Sequence, residues 1–412
     1  MINIFDRRIF VGSCFAFLSG VALIAASSPV LSADPAPLRI GVLNDQGGNF
    51  MESSGPGSVI AARLAAEDFG GKVNGRKIEI VIGDHQNKAD VGSNIVRKWF
   101  DVDGVDMVID IPNSSVAFAV NNLTRDKNKV FIASGAGAVG LTGDRCSPNF
   151  VHWTYDTYAY GQAIGKAVTA QLGKKWFFIT ADYAFGHDLE KQTSIAVQQA
   201  GGELLGNVRF PLATADFSSF VLQAQASGAD IVAIASGGAD TTNSIKQSVE
   251  FGLAKKQKIV GVMGMVDNLW GLGPEAAQGA YIVAPFYWDL DDETRAFSKR
   301  FQALMSTGAI PTDHQAGVYA GVLHYLKAVQ KVGSSTDGKA VVDAMKAMPT
   351  DDPLFKKGVI RADGRKIHDI YLLQGKTPAE SKSKYDLVKV VSRIKGDDAF
   401  RPLSEGGCPL VK

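Results

Sequence analysis

From Leu38 onward, short apolar runs alternate with longer stretches whose apolar residues recur at helical spacing. Residues 38–43 read as a strand, 57–69 as a helix with Ala, Leu and Val on its buried side, 78–82 as a strand and 91–100 as a helix. Strand 107–111, helix 115–127 and strand 130–133 complete a first series. Its strands are near-continuous Val/Ile runs rather than strict alternations, the pattern of strands covered by helices on both faces. Right-handed βαβ units in series are the economical topology for such a pattern.

A polar-aromatic stretch over 146–157, interrupted by Pro148, precedes a second series. Helix 160–172, strand 176–180, helix 189–199 and strand 204–210 are followed by strand 231–235, helix 242–251 and strand 259–263. No low-complexity linker separates the two series, which predicts domains joined by several short crossings and therefore a hinge. Past an apolar run at 280–287, helices are predicted over 294–306, 315–332 and 338–348, with strand-like runs at 370–373 and 387–391. These offer too few strands for a third sheet, so the helices are expected to pack on sheets already made. The fold class predicted is α/β, with two doubly wound lobes and a central cleft.

The first residues break the pattern. Arg7 and Arg8 precede a mostly apolar stretch over 9–26, and small residues follow up to Ala33. This is the layout of a secretory signal peptide over 1–33. A membrane anchor is the alternative, weakened by Gly12, Ser13, Ser19 and Gly20. The paired arginines also resemble a twin-arginine export signal. Cys14 comes too early for a lipoprotein cysteine. The expected location is the periplasm.

The whole chain has 43 basic and 42 acidic residues, and the segment 1–33 carries Asp6, Arg7 and Arg8, so the remainder is neutral. No basic stripe is visible, which argues against nucleic acid as a partner. Beyond residue 33 the cysteines are Cys146 and Cys408. An oxidising compartment favours a disulfide between them, with two buried thiols as the alternative.

Gly135-Ala136-Gly137-Ala138-Val139-Gly140 has the GxGxxG spacing and follows a strand. A dinucleotide site needs those glycines to open a helix. The following residues 141–148 have no helical period and end at Pro148. The loop suits a carboxylate better, because glycines let a ligand approach exposed N–H groups. The six histidines show no metal-ligand spacing, and no nucleophile elbow or P-loop occurs, so neither a cofactor nor an enzyme is expected.

Open α/β sheets bind ligands at the C-terminal ends of their strands. The loops there carry Phe50, then Ser114 and Ser115 at a helix start, then Tyr183 and Phe185, then Gly237-Gly238-Ala239-Asp240. The serines suit helix capping, anion binding or both. Aromatics beside polar, glycine-rich loops suit a cleft that stacks a flat or branched apolar group and anchors its polar end.

Several segments carry a resemblance. Asp182-Tyr183-Ala184-Phe185-Gly186, the helix with Gly55-x-Gly57, Ala61-Ala62 and Ala66-Glu67-Asp68, residues 109–115, and Val318-Tyr319-Ala320 resemble the periplasmic receptors of branched-chain amino acid ABC transporters. His152-Trp153-Thr154-Tyr155-Asp156-Thr157 is similar to a subgroup that includes receptors for aromatic carboxylates. The resemblance implies a type I periplasmic-binding-protein fold with a three-crossing hinge. Lobe one would comprise 38–152 and 284–357, and lobe two 153–283 and 358–412. It further implies a monomer that takes a small-molecule solute and delivers it to permease and ATPase subunits. A sensing clamp reporting to a receptor is the alternative role.

Carried over by position, the carboxylate-binding serine falls on Ser114, helped by Ser115, and the loop holding an amino acid falls on Gly135, Ala136 and Gly137. The aromatic wall falls on Phe185 with Tyr183, and a position on the returning lobe falls near His314. Two departures bear on the solute. Gly137 stands where amino-acid receptors carry Ser or Thr, and Val266 stands where they carry an acid, with Asp267 next door. An aromatic or keto acid therefore stands beside an α-amino acid as the expected solute. Asp267 or Asp240 facing the cleft would favour the amino acid, since a buried ammonium needs an acidic partner.

Overall fold

The computed structural model describes residues 35–411, so the predicted signal segment lies outside the described residues. The first sheet uses β1 (Leu38–Asn44), β2 (Lys72–Val73), β3 (Arg76–Asp84), β4 (Met107–Asp110), β5 (Val130–Ala133) and β6 (Phe150–His152), in the order β2-β3-β1-β4-β5-β6. All neighbours are parallel except β2 and β3. The chain leaves β1 in one direction towards β3 and later returns to β4 on its other side. That reversal opens a crevice beyond the C-terminal ends of β1 and β4.

The second sheet comprises β7 (Lys175–Ala181), β8 (Glu203–Phe210), β9 (Ile231–Ala235) and β10 (Lys258–Gly261), all parallel, in the order β10-β9-β7-β8. Its switch point lies between β7 and β9. In β9 every side chain is buried, as expected for a strand covered on both faces.

The expectation of no third sheet is overturned. Strands β11 (Tyr281–Ala284), β12 (Val359–Ile360), β13 (Lys366–Ile367), β14 (Ile370–Gly375) and β15 (Val388–Ile394) follow. β11, β14 and β15 form an antiparallel sheet of their own, and β12 pairs with β13. The run at 280–287 finds its partner strand about ninety residues further on, a pairing no local pattern carries. Two more departures are local. The polar-aromatic stretch contains the short strand β6, and the helices Ser218–Ala226 and Val266–Leu272 were not anticipated.

Caps set where the helices begin. Asn113 accepts the N–H groups of Ser115 and Val116, and Asp156 accepts that of Ala159. Thr312 and Gln315 form a reciprocal capping box that starts the long helix Asp313–Val332. At the end of β4 the non-glycine residues Asp110 and Ile111 have φ of 88° and 54°, unfavourable for a carboxylate and worse for a β-branched side chain. The buried Asp110 carboxylate compensates by accepting from Asn44, Ser54 and Ser134, tying the ends of β1, β4 and β5 together. This fixes the strained turn that presents Pro112 to the crevice.

Cys146 and Cys408 are joined by a disulfide with Cα atoms 5.7 Å apart. Around it, Arg401 donates to the Val139 carbonyl. Among the described residues no helix is long and apolar enough to cross a membrane.

Candidate functional site

The loops beyond the two parallel sheets meet directly. Asn49, after β1, donates through Nδ2 to the Gly237 carbonyl (3.1 Å) after β9, and its Oδ1 accepts the Asp240 N–H (2.9 Å). The Asn49 carbonyl accepts the Ala239 N–H at 3.0 Å. Below this clasp lies a cavity of about 230 Å³. Phe50, Ser53 and Pro112 line it from the first sheet's side, and Tyr183, Phe185 and the Gly237–Gly238 backbone from the second's. Met263, Met265, Tyr155 and His314 complete the wall.

The aromatic side chains form a continuous surface. Ring centroids are 6.4 Å apart for Phe50 and Tyr183 and 5.9 Å for Tyr183 and Phe185. Tyr155 and His314 stack at 5.4 Å with 14° between their planes. The Tyr155 hydroxyl donates to the Gly135 carbonyl and lies 2.9 Å from His314 Nε2. With that proton committed, His314 must donate through Nε2, which leaves Nδ1 as a bare acceptor. Nδ1 is buried and has no protein partner. Burial pulls the His314 pKa down to about 3, so the ring is neutral.

Of the residues singled out in the sequence, Phe50, Tyr183, Phe185 and His314 line this cavity. Ser114, Ser115, Gly135, Ala136, Gly137, Asp240 and Asp267 do not, and all but Asp267 are engaged elsewhere. The Ser114 hydroxyl accepts the Ala138 N–H (3.3 Å). The Ser115 hydroxyl accepts the N–H of Ala184 (3.4 Å), at the start of the helix Ala184–Gln199 that carries Phe185. The Gly135–Gly137 loop stands behind the aromatic wall. Its Gly135 carbonyl holds Tyr155, and its Ala136 carbonyl lies 2.6 Å from His152 Nε2. A Cβ on Gly137 would sit 2.7 Å from the Tyr155 ring and 2.8 Å from that of Phe185. A Ser or Thr at this position would require one or both rings to shift. The Asp240 carboxylate accepts the Ala213 N–H at 3.0 Å, and burial raises its pKa to about 6.

A second cavity, of about 270 Å³, adjoins the same chain segments. Val266 and Trp270 line it from the helix Val266–Leu272, Phe286, Tyr287 and Trp288 from the segment after β11, and Asp313 from the start of the long helix. Asp313 is 6% exposed and Asp267 4%, and burial raises their pKa values to about 8 and about 7. Their mutual repulsion adds to the shift at Asp313, and Glu52 adds to that at Asp267. Asp267 Oδ1 is buried without a partner. Sequence reasoning did not single out Tyr155 or Asp313 as site residues. An aspartate at the first position of a helix reads as complementing the helix dipole. Only the aromatic cluster at Trp270 and 286–288 signals otherwise.

With this architecture in view, the comparisons place the chain among known proteins. Residues 37–383 match the family model described as periplasmic binding protein, and the chain belongs to that family, with the type I fold. A periplasmic binding protein from Burkholderia mallei is 44% identical and superposes with a TM-score of 0.88, covering 91% of this chain and 99% of that one. A branched chain amino acid ABC transporter periplasmic ligand-binding protein from Burkholderia xenovorans LB400 is 40% identical, with a TM-score of 0.78 and coverage of 91% and 100%. The Leu/Ile/Val-binding protein homolog 6 of Brucella melitensis is 25% identical over 372 residues, 86% of this chain and 91% of its own length. These are binding proteins rather than enzymes.

Proposed function

We propose that this chain is the extracytoplasmic receptor of an ABC importer and captures a small carboxylate-bearing solute by closure of two lobes. The observation that carries the reading is the aromatic cavity, built jointly by Phe50 and Pro112 from one parallel sheet and Tyr183 and Phe185 from the other. Its lining of aromatic rings with a few polar groups suits a small solute with an apolar body and a polar end. The two lobes are 38–152 with 284–357 and 153–283 with 358–412. Solute binds the open form, the Asn49 clasp closes over it, and the closed monomer docks on permease and ATPase subunits. Only a solute that binds the closed state better drives that change.

The solute is a branched-chain or other hydrophobic amino acid, or an aromatic or keto acid. The names of the Burkholderia xenovorans and Brucella relatives support the first group. So does the bare His314 Nδ1, an acceptor suited to an N–H or O–H donor rather than to a carboxylate. Loss of the family's Ser or Thr at Gly137 supports the second. A thermal-shift panel of leucine, isoleucine, valine and phenylalanine against benzoate, cinnamate and 2-ketoisocaproate separates them, because a tight ligand raises the melting temperature. At least one member is expected to raise it by several degrees, and to lose that effect in Phe185→Ala. A panel with no hit, or a hit indifferent to Phe185, overturns the reading.

A further inference from the structure

The second cavity has a chemistry unlike the first. Two of its aromatic residues have their polar ends tied elsewhere: Tyr287 Oη donates to the Val388 carbonyl (2.9 Å) and Trp288 Nε1 to that of Tyr385 (3.2 Å), whereas Trp270 Nε1 is buried without a partner. Trp270 packs edge-on against the Tyr385 ring at 5.1 Å. What remains for an occupant is ring surface, the Trp270 indole N–H and one carboxyl group, Asp313. Its Oδ1 accepts the neighbouring His314 N–H at 2.9 Å. Among the described residues no basic group contributes to the electrostatic surroundings of Asp313 or Asp267, whereas each has another acid nearby. Two nearly buried carboxyl groups without a countercharge are costly when ionised. A cation among them would relieve that cost, and aromatic faces attract an organic cation through their quadrupoles.

From this geometry we infer that the cavity formed by Val266, Trp270, Phe286, Tyr287, Trp288 and Asp313 is a binding subsite for an organic ammonium group. The ring faces surround the alkyl-ammonium and Asp313 supplies the counter-ion, with Asp267 behind it adding negative potential. The subsite is distinct from the cavity of Phe50 and Phe185, yet the two share a partition. Met265 lines one and Val266 the other, and His314 lines one while Asp313 lines the other. A solute with an amine remote from its carboxylate would reach across that partition, and a separate small amine would fill the subsite alone. The inference does not depend on which acid fills the first cavity.

The test uses the exported full chain with methylammonium and tetramethylammonium chloride as probes, against sodium chloride at matched ionic strength. Trp270 and Trp288 line the subsite, so tryptophan fluorescence reads occupancy directly. A saturable response to an ammonium probe is expected at pH 7.5, weakened at least tenfold in Asp313→Asn and several-fold in Trp270→Leu. The second variant serves if the first fails to fold. Responses no different from sodium chloride, or an unchanged midpoint in both variants, overturn the inference. An ammonium response without any hit in the carboxylate panel would leave the inference standing and sink the proposed function. A carboxylate hit without an ammonium response would do the reverse.

Discussion

The two cavities share a wall of consecutive residues and differ in almost everything else. The first is lined by loops of the two parallel sheets, and its Tyr155–His314 pair is neutral, with Tyr155 also bound to the Gly135 carbonyl and only His314 Nδ1 left open. The second is framed by the segment following β11, whose aromatics are held by the chain around β15, and it keeps an acid without a countercharge. Position in the fold explains the contrast. Parallel βα units recur with the same geometry and present loops at one end, so a crevice follows from topology. The antiparallel sheet is an addition peculiar to its long-range pairing.

The largest expected effect comes from Gly137→Thr. Its Cβ would collide with the Tyr155 and Phe185 rings, so the first cavity should collapse, with a hundredfold loss of solute affinity and about 1–3 kcal/mol of stability. Calorimetry should show that loss while ammonium binding in the second cavity persists. Retention of full solute affinity would mean that the rings yield and the cavities are less separate than they look.

Tyr155→Phe tests the pairing inside the first cavity. It leaves His314 Nε2 and the Gly135 carbonyl without their shared hydroxyl, and stability should fall by about 1–3 kcal/mol. Chemical denaturation measures it. A neutral result would show that water replaces the hydroxyl at once, contrary to a dry pairing of Tyr155 with His314 and Gly135.

The smallest effect concerns pH and the second cavity. The Asp313 and Asp267 pKa values lie near 8 and near 7 in the fold, above the ordinary carboxyl range. The native state therefore holds protons that the unfolded chain has released, and stability falls as pH rises towards those values. Below about 6.5 the depressed histidines, His85 near 4 and His314 near 3, act in the opposite sense, and Lys366, pulled down to about 8, does so as pH approaches 8, so the carboxyls dominate only between about pH 6.5 and 7.5. There each carboxyl contributes a slope of at most about 1.4 kcal/mol per pH unit. Asp313→Asn should flatten the profile in that window, and a saturating ammonium probe should do the same in the wild-type chain. An equally steep profile in the variant would assign the proton to another group.

The same contrast governs what was legible in the sequence. Phe50, Tyr183 and Phe185 could be placed because strand ends in a doubly wound sheet are predictable from Val/Ile runs alone. Ser114 and Ser115 looked alike as caps and as ligands. Local sequence cannot separate the two uses, since both need a hydroxyl at a helix start, and in the structure both hydroxyls accept backbone N–H groups. The strands of the third sheet were legible as the runs at 280–287, 370–373 and 387–391, but their pairing was not, because β11 finds its partner β14 about ninety residues further along the chain. Without that sheet there was no reason to gather Trp288, Trp270 and Asp313 into one place.

The disulfide has a consequence for the order of events in synthesis. Cys146 and Cys408 are separated by 262 positions, and the second and third sheets lie within the ring they close. In a chain emerging from its N-terminus the residues of both sheets are made before the partner of Cys146, so the bond cannot form until residue 408 is present. The bond thus works as a seal of completeness: a chain cut short before residue 408 keeps a thiol at Cys146 that an alkylating reagent can tag, whereas a finished, oxidised one does not.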